Sequence, residues 1–193
     1  MNRSTGRHII ASTTNQNVVS VSYPLGSDRA ADAGAYVYEV DMLLFTLGRY
    51  LTELSDHGPG SREHDARLEA FLVHARVLIS FFYPTGRRHD DDVVAEDFLH
   101  EPMDNTAPEA LRLINHRVAL DKRLSHLTQK RRQAHAGYPV IEIAGDLLAL
   151  HGVFTRRLSE ADPNWTAFDS LSLQVREFEQ RHGHEYRGIC ASL

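Results

Sequence analysis

The chain has 193 residues, a net charge of −5 and a single cysteine, Cys190. Its length suits one domain with a real core, and one cysteine excludes both an intramolecular disulfide and a four-cysteine zinc site. With 42% hydrophobic and 24% charged residues the composition is that of a soluble globular domain, and the acidic balance argues against a general nucleic-acid coat protein while leaving room for a local basic site.

Residues 1–30 read as an irregular arm. Ser12-Thr13-Thr14-Asn15-Gln16-Asn17 is polar and aperiodic, and Val18–Tyr23 suits one short strand before Pro24 and Gly26. The basic N-terminus lacks the apolar stretch of a secretory signal. The clearest aliphatic run, Met42–Phe45, is far too short to span a bilayer. A cytoplasmic location without a membrane partner is therefore expected.

From about Asp28 the pattern turns helical. Val37, Val40, Leu44, Leu47, Leu51 and Leu54 recur at steps of three and four, and Asp56–Ser61 breaks the run. A second helix carries Leu68, Phe71, Leu72, Ala75, Leu78, Ile79 and Phe82, and Pro84 and Gly86 stop it. The connector 84–106 is acidic, with a short helix expected around Val93, Val94, Phe98 and Leu99. Its acids read as a solvated run, pairing with basic residues of the third long helix.

That third helix is expected over 108–134, with Pro108 tolerated in its first turn. Leu111, Ile114 and Val118 make one stripe; Leu120, Leu124 and Leu127 make another. A fourth helix carries Val140, Ile143, Leu147, Leu150, Phe154 and Leu158. A fifth carries Trp165, Phe168, Leu171, Val175 and Phe178, with Gly183 as its stop. The expected fold is all-α: an up-down bundle of about five helices over 31–185, with a C-terminal tail at 186–193 that holds Cys190.

Two helices carry residue types capable of chemistry. In the third, Lys122, Arg123, Lys130, Arg131 and Arg132 cluster around His126. Lys122 could hold a phosphate, and His126, titrating near neutrality, could act as general acid or base. The same residues also read as the solvated face of an amphipathic helix, with basic charge suiting its C-terminal dipole. In the second helix, His74 and Arg76 lie on opposite flanks of the apolar face. Arg76 there could hold a phosphate or fix packing by binding a carboxylate.

The segments LVHARVLISFFY (72–83) and LDKRLSHLTQKR (120–131) resemble paired motifs of uncharacterised bacterial all-α proteins and, more loosely, the HEPN superfamily. That resemblance spans about residues 36–160. It implies a helical bundle, often dimeric, and RNA binding or metal-independent RNA cleavage in toxin and defence systems, with Arg76, His74 and His126 as the candidate catalytic set. The family's signature is an Arg, four to six residues, then His, with a polar residue after the Arg. Here the spacing occurs at Arg3…His8, Arg67…His74 and Arg176…His182, none followed by Asn, Asp or His. With 19 Arg and 12 His in the chain, chance alone supplies about that many matches.

Other chemistries find less support. The ligand spacings of a di-iron bundle, a His-Asp phosphohydrolase or a calcium loop are not met, and neither a Gly-x-Ser-x-Gly elbow nor a phosphate-cradling glycine loop occurs. No metal or cofactor is expected. Two readings stand: a non-enzymatic helical interaction or regulatory module with a protein partner, and an RNA-directed module or RNase acting as a homodimer.

Overall fold

The computed structural model describes residues 27–57, 61–84, 92–99, 101–124, 138–161 and 168–190. Among them are six helices and no strand: α1 (Ser27–His57), α2 (Arg62–Phe82), α3 (Ala95–Leu99), α4 (Pro108–Leu124), α5 (Val140–Ala161) and α6 (Asp169–Cys190). The all-α bundle expected from the periodicity is present, as is the short helix within the acidic connector. The strand expected at 18–23 and most of the arm lie outside the described residues.

Local chemistry sets several boundaries. Ser61 caps α2, its hydroxyl accepting from the His64 amide at 3.0 Å, with Glu63 and Asp65 in the first turn. Pro84 follows the last hydrogen bond of α2, Tyr83 N–H to Ile79 C=O at 2.8 Å. α3 carries its own cap: the Val94 amide donates to the Asp97 carboxylate at 3.0 Å, and the Asp97 amide donates back to Val94 C=O. Pro108 opens α4, where a missing N–H costs nothing. Gly183 does not end the last helix. α6 runs through it to Cys190, so Cys190 lies on a helix and not in a tail. A single glycine costs a helix only about 1 kcal/mol.

Cross-helix contacts show the directions. Tyr50 lies against His64 while Glu39 reaches His74, so α1 and α2 are antiparallel. Arg76 meets Asp121 while Arg117 reaches the Tyr83 carbonyl, so α2 and α4 are antiparallel. Arg112–Asp146 and His116–Glu142 do the same for α4 and α5. α6 packs on both α5 and α1. Phe168 meets Tyr36, and Phe178 passes Gly48, so α6 runs parallel to α1 and closes the ring. This is an up-down array of five long helices, with α3 inserted in the α2–α4 connection.

The core is aromatic at its centre. Phe154 of α5 is fully buried and lies 5.1–6.1 Å, centroid to centroid, from Tyr36, Phe81, Phe82, Phe98 and Phe168. Most of these pairs are edge-to-face, the arrangement that the ring quadrupoles favour.

One stripe differs from expectation. On α4 the buried residues are Ala110, Leu113 and Leu120, while Leu111 and Val118 are exposed. The inward face is 110-113-117-120-124, a three-four repeat. Arg117 occupies its middle, and a charged residue there hides the stripe from a reading based on hydrophobicity.

Candidate functional site

The sequence placed its candidate chemistry on α2 and α4, and the two helices do meet. His74 and Arg76 project to opposite seams of α2. His74 Nδ1 lies 2.8 Å from Glu39 Oε2 on α1, with both side chains largely buried and Tyr38 edge-on to the imidazole. Arg76 Nε donates to Asp121 Oδ1 on α4. The wheel explains the split: two residues apart on a helix is a turn of about 200°, so one side chain faces α1 and the other α4.

Asp121 serves two cations. Its second oxygen lies 3.7 Å from Arg117 Nε, too long for a hydrogen bond. Arg117 is instead anchored through Nη1, which donates to the Tyr83 carbonyl at 2.9 Å, while its Nε is buried without a hydrogen-bond partner. Of the two partners open to Arg76, a phosphate or a carboxylate, the structure shows a carboxylate, Asp121, which directly precedes Lys122 and Arg123.

The rest of the candidate set is not brought into view. Lys122 and Arg123 lie on the last turn of α4, but their side chains are outside the described residues, as are His126, Lys130, Arg131 and Arg132 altogether. The acidic connector also departs from expectation. Glu101 pairs with Arg157 of α5 rather than with the third long helix, and Asp97 caps its own short helix. Phe98, Leu99 and Met103 are buried and join the core's wall, while Asp92, Glu96 and Glu101 are exposed as expected of a solvated acidic run, and Asp90 and Asp91 lie outside the described residues.

The structure adds two features that sequence reasoning passed over. The first is a buried polar pair. Tyr36 Oη and His151 Nδ1 lie 2.7 Å apart inside the aromatic core, where His151 is 3% exposed. His151 Nε2 has no hydrogen-bond partner, and burial pushes the imidazole down to about 4 and the Tyr36 phenol well up. The signal was available: His151 stands four residues after Leu147 and three before Phe154, on the apolar stripe itself.

The second is a cleft of about 250 Å³ between the end of α2, α3, the segment 101–107 and α4. Phe82, Tyr83, Met103 and Ile114 form its apolar wall, and Glu96 and Asn105 stand at its exposed rim. The Tyr83 hydroxyl donates to the Asp104 carbonyl at 2.9 Å. Its phenol is pushed up to about 12 by burial first, then by the charges of Asp104 and Glu109. Asp104 itself stays below the usual carboxylate range because the Thr106 hydroxyl and amide donate to it.

Among the described residues no group of three or more His, Cys, Asp or Glu side chains could hold a metal ion, and no helix is long and apolar enough to cross a membrane. Compared with known proteins, the chain matches no family model, no curated protein and no solved structure.

Proposed function

We propose that the chain is a helical interaction or regulatory module that binds a protein partner and carries out no chemistry. One observation carries this reading: His74 and Arg76, the candidate catalytic side chains among the described residues, are turned to opposite seams, and each is taken by a carboxylate of a neighbouring helix. A nuclease needs a general base and a phosphate-holding cation converging on one groove. Glu39 and Asp121 occupy these two groups as structural contacts between helices do, one across the α1–α2 seam and one across the α2–α4 seam.

Incubation of purified protein with labelled single-stranded RNA in EDTA tests the reading, with His126→Ala and His74→Ala alongside. The expected result is intact RNA in all three reactions. Cleavage by the wild type that disappears in His126→Ala overturns the proposal in favour of a HEPN-like, metal-independent RNase whose site lies around the basic segment 122–132.

A further inference from the structure

We propose that the outward face of the α1–α2 hairpin is the interface of a symmetric homodimer, with a second copy of this chain lying against it. The inference stands apart from the proposed function, since self-association needs neither another protein nor RNA.

Two apolar stripes face outward where a solvated helix pair carries polar residues. On α1 the residues opposite the buried stripe are Ala31, Ala35, Tyr38, Met42 and Phe45, at steps of four and three. Between Ala33 and Leu47 the helix carries charge only at Glu39 and Asp41. It is apolar nearly all round, the pattern of a helix covered on every side. On α2 the outward residues are Ala66, Ala70, Val73 and Val77, again at steps of four and three. Tyr38 is 54% exposed, Phe45 50%, Val73 46% and Val77 39%. These are four of the seven large apolar side chains left exposed among the described residues, so they are not a random scatter. The stripes adjoin, because Tyr38 crosses the seam to lie edge-on to His74, 6.2 Å between ring centroids. Single exposed apolar residues are ordinary, but a joined patch marks a contact surface.

Shape, charge and area favour a copy of the same face as the occupant. The bulky side chains stand on α1 and the smaller ones on α2. The antiparallel pairing of Tyr50 with His64 and of Glu39 with His74 sets Tyr38 level with the gap between Val73 and Val77. It sets Phe45 level with the gap between Ala66 and Ala70. A two-fold axis along the seam, parallel to the helices, lays α1 of each copy antiparallel on α2 of the other at the same level. Each large ring then meets its gap twice, as an isologous contact requires, and the four helices pack as a bundle. Two chains of net charge −5 repel, so the faces that meet must be locally neutral. The stripes themselves carry no charge, and Glu39 in the seam lies on His74. At their Phe45 end both signs flank them, Arg49, Arg62 and Arg67 beside Glu53, Glu63 and Glu69. Arg49 also lies over the Phe45 ring, 5.5 Å from its centroid. An apolar centre with a mixed polar rim is how protein interfaces are built. α2 has 21 residues, about 31 Å of helix, and two helices side by side are about 20 Å wide. That footprint of about 600 Å² a side gives about 1,200 Å² in a pair, above the roughly 1,000 Å² a specific interface needs.

Sedimentation equilibrium of the full-length chain between about 1 and 300 µM tests the assignment. The expected result is a reversible monomer–dimer equilibrium. Phe45→Glu and Val73→Glu, each at an exposed position and each entering the interface twice, should weaken the dimer about a hundredfold or more, with an unchanged circular dichroism spectrum. Leu173→Glu, equally exposed but on α6, should leave it intact. In a Cys190→Ser background, Phe45→Cys mixed with Ala70→Cys should be joined by a short bismaleimide more readily than either variant with itself. A monomer throughout the range overturns the proposal; if Phe45→Glu also destabilises that monomer, a segment of the chain itself covers the face. A dimer untouched by both Glu variants, or one in which Phe45→Cys links chiefly to itself, overturns it as well.

Discussion

At the scale of single residues, His151 is the group with the clearest consequence. It is buried against Tyr36 with Nε2 unpaired, and the loss of solvent around the imidazole lowers its pKa. Whichever ring nitrogen carries the proton, one polar atom goes without a partner, which costs about 1–3 kcal/mol. The sign of the pH effect follows from linkage. The unfolded chain takes up the proton near pH 6.5 and the folded chain only near 4, so the unfolded state binds more protons between them. Stability therefore falls as pH drops from about 6.5 to about 4, and the loss levels off below that. The gap is worth about 3 kcal/mol. Urea unfolding at pH 7 and pH 4.5 should show His151→Asn losing about 2–3 kcal/mol less than the wild type over that interval. Equal losses in the two proteins would remove His151 as the cause. Arg117 teaches a related lesson. Its Nε lies buried in the inward stripe of α4 while Nη1 reaches a carbonyl, a long side chain using its apolar stem as core and its head as a tie.

At the scale of elements, burial and capping contribute unequally. Phe154 is the hub on which rings from α1, α2 and α3 converge, together with Phe168 just before α6. Phe154→Ala should cost about 3–5 kcal/mol, transfer and cavity terms together. Ser61→Ala removes only the cap of α2 and should cost about 1 kcal/mol. Chemical denaturation of both variants checks the order, and a cap effect equal to the core effect would contradict this account. Helix existence was legible for all five long helices because apolar residues recurred at steps of three and four over several turns. The face was less legible. On α4, Leu111, Ile114 and Val118 looked like the stripe, yet Leu111 and Val118 are exposed and Ala110 and Leu113 point inward. A helix with polar residues inside its buried face offers two candidate stripes, and only the neighbours decide between them.

At the scale of the whole molecule, the bundle is held by its apolar interior rather than by its ion pairs. Arg76–Asp121, His116–Glu142 and Arg157–Glu101 each have at least one partner well exposed, and such pairs are worth at most about 1 kcal/mol each. Raising NaCl from 50 to 500 mM should change unfolding free energy by less than about 1 kcal/mol, because screening acts on pairs that contribute little. A loss of several kcal/mol would make the ion pairs principal. The candidate site was only half legible. The flanking positions of His74 and Arg76 followed from helical spacing, and so did the prospect of a carboxylate for Arg76. That Glu39 and Asp121 would be the partners did not follow, since each lies 35 to 45 residues away in sequence. The cleft was not legible at all, being a gap between segments from three helices and a connector read as solvated. By itself the sequence determined that this protein is helical, how many long helices its described residues form and where most of them start, because propensity, periodicity and capping act over a few residues. Tertiary structure alone decided which face of α4 turns inward, which carboxylates meet His74 and Arg76, and where a cavity remains, because each of these depends on what a distant part of the chain brings to the same place.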